Sequence, residues 1–255
     1  MPPKPKPQLT HFLLLPLVTP TSRPQLQSSL QRFFAEVTTP NDSRDPALPA
    51  KAIRPVGAIH LTIGVMSLPT PDRLAAACTY LQSLDIPTML RAACDPPPAT
   101  LSPDPPTASN PPPPQPLLTT LSGLHTLRPP TSTSSLHASP TPSSPHLLPF
   151  ATALRAAFTA AGFLIPDSRP LTLHATLVNT IYARSAKSGK NRWTKGSGRF
   201  DATRLIERYK DVEWARDVRI EKVAVCEMGA RVVGVEEGGG GVDQVYREVA
   251  SVELP

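Results

Sequence analysis

The sequence has few cysteines, few aromatic residues and no long apolar run, and each shortage excludes a class of protein. Its three cysteines have no metal-ligand spacing, and an odd, unpaired set fits a reducing compartment better than a secreted disulfide framework. The longest apolar run near the start, from Phe12 to Val18, is too short to cross a membrane and contains Pro16. The start itself lacks the apolar stretch of a secretory signal. We therefore expect an intracellular protein, in the nucleus, the cytoplasm or both, without a membrane partner.

Proline, in contrast, is abundant and concentrated in one part of the chain. Of the 34 prolines, 17 lie between Pro96 and Pro149. Segments that are dense in proline and poor in apolar side chains cannot bury enough surface to fold. We expect a disordered tail over 1–8 and disordered inserts near 95–116 and 128–149. Because 40% of all residues are apolar, the remainder can still build a core for one sizeable domain or two small ones.

Two short apolar segments each carry the pattern His-x-Thr. The first motif is His60 and Thr62 within 58–65, and the second is His174 and Thr176 within 171–178. Side chains alternate faces along a strand, so each histidine shares a face with its threonine while the intervening residue points to the core. The repetition predicts a duplicated unit whose two motifs face a common cleft. The alternative interpretation is that both are ordinary sheet histidines bonded to their neighbours.

Two imidazoles and two hydroxyls suit a phosphodiester, in which one oxygen loses a proton and another gains one. Imidazole titrates near neutral pH, so one ring can be neutral while the other is charged, although the sequence leaves open which is which. The threonine hydroxyls could hold the non-bridging oxygens. Asp72 and Asp167 lie outside the motif strands, so we expect neither a metal nor another cofactor. The histidines that we expect to be structural or exposed are His11, His125, His137 and His146.

The net charge of +6 arises from one stretch, the basic loop 183–200, which has six cations and no acid. Without it the chain has 20 basic and 20 acidic residues. A flexible cationic loop directly after the second motif would attract the backbone of RNA or DNA, and a tryptophan within it could stack on a base. The predicted nucleic-acid-binding residues are Arg184, Lys187, Lys190, Arg192, Trp193, Lys195 and Arg199. The alternatives are a solvated loop without a ligand and, for Tyr182 just before it, packing at the rim instead of substrate contact.

The chain resembles the two-histidine (2H) phosphoesterase superfamily, whose signature is a pair of His-x-Thr/Ser motifs, and within it the A-kinase anchor protein 7-like phosphoesterase domain. The resembling segments are Thr10 to Leu17, His60 to Ile63, Leu173 to Asn179 and the stretch near Tyr246 to Leu254. The resemblance implies an α+β fold of two lobes, each a small, mostly antiparallel sheet with outer helices, which meet at a central cleft as in 2′-5′ RNA ligases. It also implies one bilobal domain over 9–255 in which His60, Thr62, His174 and Thr176 are catalytic.

The function implied by this resemblance is a metal-independent phosphodiesterase or phosphotransferase that acts on RNA ends or 2′-linked phosphodiesters. A second hypothesis is a nucleic-acid or nucleotide binding module of a transcription-coactivator or repair complex, because the same domain occurs in activating signal cointegrator 1 complex subunit 1. That subunit pairs it with a KH domain, and no KH-type Gly-x-x-Gly segment is found between a strand and a helix here. A third hypothesis is a binder of cyclic nucleotides or AMP.

Hydrophobic periodicity predicts the order of elements. Strands are expected over 9–18, 58–66, 116–127, 134–139, 171–181, 218–228 and 245–252. Helices are expected over 24–37, 70–84, 150–161 and 201–209. Gly123 is a candidate bulge within its strand, and Gly238 to Gly241 is expected to be a flexible turn. The mixture of elements, with a comparable second half, is typical of an α+β protein.

Overall fold

The computed structural model describes residues 7–40, 42, 44–94, 116–141, 145–183, 198–234 and 242–255. Most of the predicted tail, most of the insert near 95–116, most of the basic loop and the glycine turn therefore lie outside the described residues. None of the helices in the described ranges is long and apolar enough to cross a membrane.

Ten strands and five α-helices make up the described chain. The strands are β1 His11–Pro16, β2 His60–Met66, β3 Leu118–His125, β4 Ser135–Thr141, β5 Ala175–Asn179, β6 Glu213–Arg219, β7 Lys222–Glu227, β8 Arg231–Gly234, β9 Val242–Val245 and β10 Glu248–Glu253. The helices are α1 Ser22–Thr38, α2 Pro71–Ser83, α3 Ile86–Cys94, α4 Leu147–Ala160 and α5 Thr203–Tyr209. Short 3-10 turns occupy Ala50–Ala52, Val56–Ala58, Pro130–Ser132 and Thr180–Ala183.

Eight strands form one antiparallel sheet in the order β10-β7-β1-β2-β5-β4-β3-β6, and β8 pairs with β9 in a separate hairpin. The sheet consists of two four-stranded halves that meet where β2 lies beside β5. Leu61 and Ala175 are the register pair at this junction. This arrangement confirms the predicted α+β class with duplicated, mostly antiparallel sheets and outer helices.

The helices cover one face of the sheet, and the two faces differ in character. Leu13 and Leu15 of β1 are fully buried in the main core, together with Phe33 of α1 and Phe158 of α4. The intervening side chains point to the other face, as strand alternation requires. There a small separate cluster contains Phe12, Leu14, Ala224 and Cys226, with Val65 and Tyr246 packed against it. None of these six residues comes from a helix.

The structure corrects the sequence prediction between 128 and 149. The proposed disordered insert contains a 3-10 turn, strand β4 and the start of α4, and only 142–144 fall outside the described residues. The strand forms because β3 and β5 pair with it on either side, which satisfies its backbone, and because Leu136 and Ala138 are fully buried. The prolines lie near the ends of these elements, where proline is tolerated.

Candidate active site

The two His-x-Thr motifs lie side by side at the junction of the half-sheets. Leu61 and Ala175 are paired across β2 and β5, and both are fully buried in the core. In an antiparallel pair the neighbouring residues also face each other, so His60 lies alongside Thr176 and Thr62 alongside His174. All four side chains therefore point to the face opposite the core, and all four are half-buried. The two histidines occupy diagonal positions, which are about 7–8 Å apart in such a pair.

Both imidazoles are fixed by the same hydrogen bond. Nδ1 of His60 donates to the carbonyl of Ala58 at 2.8 Å, and Nδ1 of His174 donates to the carbonyl of Thr172 at 2.8 Å. A carbonyl can only accept, so each Nδ1 carries a proton and each Nε2 is left to act on a ligand. Nε2 of His60 lies 3.0 Å from the hydroxyl of Thr62 and accepts a hydrogen bond from it. In both motifs, the same hydrogen bond to a backbone carbonyl therefore fixes the orientation and the tautomer of the histidine ring.

The surroundings of His60 hold its ring neutral. Burial lowers its pKa to about 4, and the electrostatic effects of Arg54 and His174 act in the same direction, while the bond to the Ala58 carbonyl acts against them. Phe12 and Tyr246 enclose the ring, with centroids 5.1 and 5.2 Å from its own. At neutral pH the Nε2 lone pair of His60 is therefore available to accept a proton.

Two cavities lie next to the motifs. One of about 210 Å³ is lined by His60 and Tyr246, with Arg23 and Lys222 in its wall. The other, of about 330 Å³, is lined by Thr62 and Thr172 and includes Arg155 and Arg169. Each cavity thus contains cationic side chains, and each of these cations is paired with a carboxylate. A phosphodiester at the motifs would have space for a substituent on either side.

His137 was missed by the sequence reasoning, which grouped it with structural or exposed histidines. It lies on β4 in register with Thr176, is 5% exposed, and has its ring centroid 4.9 Å from that of His174. Burial lowers its pKa to about 3, and His174 and His125 contribute in the same direction. Its strand lies between proline-rich segments and carries no His-x-Thr pattern, so no local signal connects it with the site. Within the described ranges, no group of three potential metal ligands comes together.

Arg54 was also not predicted, and it lies against the same site. Its guanidinium donates to the hydroxyl of Tyr246 at 3.1 Å and lies 4.0 Å from the ring centroid of Tyr182. Tyr182, for which substrate contact and rim packing were the open alternatives, is 47% exposed and covered by Arg54 on one side.

The structure places only one residue of the predicted nucleic-acid-binding set. Arg199 is exposed and precedes Phe200, which bridges to Thr133. The others lie outside the described residues: Arg184, Lys187, Lys190, Arg192, Trp193 and Lys195.

Comparisons with known proteins point to one family. The model of the AKAP7 2′5′ RNA ligase-like domain matches residues 9–233. An uncharacterized protein of Schizosaccharomyces pombe, C15D4.13c, is 31% identical over 105 residues, which are 40% of this chain and 43% of that relative, so the match spans less than half of the relative's length. Among solved structures, Escherichia coli LigT complexed with 3′-AMP has a TM-score of 0.51 at 13% identity, covering 98% of this chain and 99% of LigT. A structure described as a phosphoesterase has a TM-score of 0.50, also at 13% identity and with 98% and 99% coverage. At these identities, the two solved structures show a shared fold.

Proposed function

We propose, from the premise that this chain belongs to the AKAP7 2′5′ RNA ligase-like family and is a 2H-type phosphoesterase, that it cleaves or transfers phosphodiesters at RNA ends or 2′ linkages without a metal. The catalytic residues in this proposal are His60, Thr62, His174 and Thr176. The observation that carries it is the pairing of the two motifs across Leu61 and Ala175, with each Nδ1 bonded to the carbonyl two residues upstream.

In the proposed reaction, neutral His60 acts as the base. Its Nε2 accepts the proton of a water or a ribose 2′-hydroxyl as that oxygen bonds to phosphorus. His174, protonated on Nε2, gives a proton to the oxygen that leaves as its bond to phosphorus breaks. One proton is gained by His60 and one is lost by His174, and exchange with water restores both. The roles are reversed when the reaction runs backwards.

The threonines have a separate role in this scheme. The hydroxyls of Thr62 and Thr176 donate to the non-bridging oxygens, where negative charge develops. Thr62 already bonds Nε2 of His60 in the free protein, so substrate would replace that bond. A nucleotide as substrate is supported by the solved complex of LigT with 3′-AMP, a protein of the same fold.

The basic loop 183–200 extends the proposal to longer nucleic acids. Its cations would bind backbone phosphates, and Trp193 would stack on a base. Arg199 is exposed, as such a contact requires. Membership of a coactivator complex and a nuclear location remain predictions from the resemblance.

Single-histidine variants test the catalytic proposal. We expect His60→Ala and His174→Ala each to lower the rate of cleavage of a short RNA ending in a 2′,3′-cyclic phosphate by about 10²–10⁴-fold, the usual contribution of general acid–base catalysis. The assay contains excess chelator, and circular dichroism checks that the variants fold. His146→Ala is the matched control, since the His146 ring bonds the carbonyl of Ala93, away from the motifs. Full activity in either motif variant would refute the proposal, and tight binding without cleavage in the unmodified chain would favour the binding module.

A further inference from the structure

Arg54 is fixed in place by the backbone at the edge of the second motif strand. Ile53 bridges to Val178, and the backbone N–H of Arg54 donates to the carbonyl of Leu177 at 2.8 Å. The side chain is only 5% exposed. A short segment before the first motif is thus held against β5, and it carries a cation into the junction between the two half-sheets.

Within the described residues, this buried cation has no acidic partner. No carboxylate among the described residues lies within 4.0 Å of its guanidinium, whose one hydrogen-bond partner is the hydroxyl of Tyr246. The other guanidinium nitrogens bond no described residue. Burying an arginine without a counter-charge is unfavourable unless something else neutralises it. A cation in this state is suited to receive an anion.

The two buried carboxylates of the described residues are each paired with arginine. Asp45 has a 1% exposed side chain and is paired with both Arg204 and Arg208. Asp243, with an 8% exposed side chain, is paired with Arg23. Arg54 differs from these cases in its location, because Tyr246, which holds its guanidinium, also packs edge-on against the His60 ring.

We propose that Arg54 binds a phosphate group of the substrate next to His60. The free guanidinium donors would bond its oxygens, since guanidinium and phosphate match in charge and geometry. The hydroxyl of Tyr246 orients the guanidinium, and the Tyr182 ring covers it on one side. The inference takes its substrate class from the proposed function, and Arg54 is then a binding residue additional to the two motifs.

Binding of a phosphate at Arg54 would also change the pKa of His60, the proposed base. The Arg54 cation contributes to the lowered pKa of His60. An anion at Arg54 offsets that contribution, so substrate binding raises the proton affinity of His60 at the moment when it must accept a proton. An unbound site keeps the ring neutral, and an occupied site makes it a stronger base.

The test compares Arg54→Gln and Arg54→Lys with the unmodified full chain. We expect Arg54→Gln to weaken binding of inorganic phosphate and of AMP by about 10- to 100-fold, as loss of charge-assisted hydrogen bonds does. Arg54→Lys should recover part of the lost affinity, because lysine keeps the positive charge but lacks the planar set of donors of the guanidinium. Arg73→Gln is the control, since Arg73 is exposed on α2 and bonds the carbonyl of Gly162.

Stability separates a binding role from a structural one. Removing an unpaired buried cation should leave the melting temperature of Arg54→Gln unchanged or higher, whereas loss of a structural contact would lower it. Unchanged phosphate affinity in Arg54→Gln, or a loss of affinity that only follows a loss of folded protein, would overturn the inference.

Steady-state kinetics show whether Arg54 binds the reacting phosphate or a neighbouring phosphate of the substrate. Two substrates are compared, a dinucleotide with and one without an additional terminal phosphate. If the KM of Arg54→Gln rises for both substrates, Arg54 binds the reacting phosphate. If the KM rises only for the substrate with the terminal phosphate, Arg54 binds that neighbouring phosphate. An unchanged KM for both substrates contradicts the inference. His60→Ala keeps this test separate from the proposed function, because it should bind phosphate through Arg54 even when cleavage is lost.

Discussion

At the level of single residues, two histidines of the candidate site, His60 and His137, are held as neutral rings by their surroundings. Burial lowers the pKa of His60 to about 4 and that of His137 to about 3, against an ordinary value of 6.5. The protonated form of either ring would lack a stabilising carboxylate, since no described acidic residue pairs with His60 or His137. Neutrality therefore makes His60 a proton acceptor, and it makes the folded state sensitive to acid.

We predict that the free energy of unfolding decreases as the pH falls from about 6.5 towards 4. In this range the unfolded chain takes up protons on both histidines while the folded chain does not, so protonation favours unfolding. Each histidine contributes a slope of about 1.4 kcal/mol per pH unit. Urea denaturation at a series of pH values between 7 and 4.5 measures this slope. His137→Phe, which keeps a ring beside His174, should lose its share of the slope, and Ser135→Ala on the same strand is the control. An unaltered slope in His137→Phe would contradict the assigned burial effect.

Sequence reasoning identified residues whose role depends on local alternation and missed those whose role depends on tertiary contacts. His60 and Thr62 share a face because they are two apart on a strand, and the structure has this arrangement. Their catalytic role stays a prediction. Arg54 and His137 reach the site only through pairing with β5, which no local pattern encodes.

At the level of elements, the β8–β9 hairpin positions the aromatic wall of the site. The carboxylate of Asp243 on β9 accepts from the backbone N–H of Gly57 at 3.0 Å and from Arg23 at 2.8 Å. Tyr246 directly follows β9 and packs against His60. Gly57 allows this close approach, because a Cβ there would lie 2.7 Å from the Asp243 carboxylate and 2.8 Å from the backbone oxygen of Gln244.

We predict that Gly57→Ala moves the hairpin away and lowers catalytic activity together with stability. Overpacking at a well-filled contact typically costs about 1–3 kcal/mol. Because Tyr246 moves with the hairpin, the rate of cleavage should fall by more than the loss of folded protein explains. Gly234→Ala is the matched control on the same hairpin, since a Cβ there meets nothing within 4 Å. Equal activity of the two variants, per folded molecule, would show that the hairpin does not position the site.

Element prediction from sequence succeeded where apolar periodicity is strong. Helix α1 was expected over 24–37 and occupies Ser22–Thr38. The Gly123 bulge is confirmed by its φ of +65° and by the register shift beside it. The stretch 218–228 was wrongly predicted as a single strand, whereas β6 ends at Arg219 and β7 begins at Lys222. Strand β6 was missed because charged residues interrupt its apolar alternation. Its buried Trp214 packs on Phe33 of α1, a tertiary contact that the local sequence does not indicate.

At the level of the whole molecule, the two half-sheets are not two consecutive pieces of chain. The half-sheet with the first motif contains β1 and β2 from the start and β7 and β10 from the end. Helix α1 packs across to the other half, where Phe33 contacts both Tyr209 and Trp214. The sequence predicted duplication, but the pairing of the last strands with β1 is non-local and carries no sequence signal. The face that carries the candidate active site is therefore formed by segments that come together only in the complete fold.

This interleaving predicts how the chain behaves when it is cut between α3 and β3. Fragment 1–94 contains β1 and β2 without β7 and β10, and fragment 116–255 lacks the helix that covers β6. We expect neither fragment alone to show a cooperative urea transition, because each leaves sheet edges and core side chains exposed to water. Mixing the two at micromolar concentration should restore a cooperative transition and, since both motifs are then present, RNA cleavage. A full chain carrying the same cut, made by a protease site in place of 95–115, is the control for the break itself. If fragment 1–94 unfolded cooperatively alone, the first half-sheet would not need the last strands, and the reasoning that joins both motifs into one folding unit would fail.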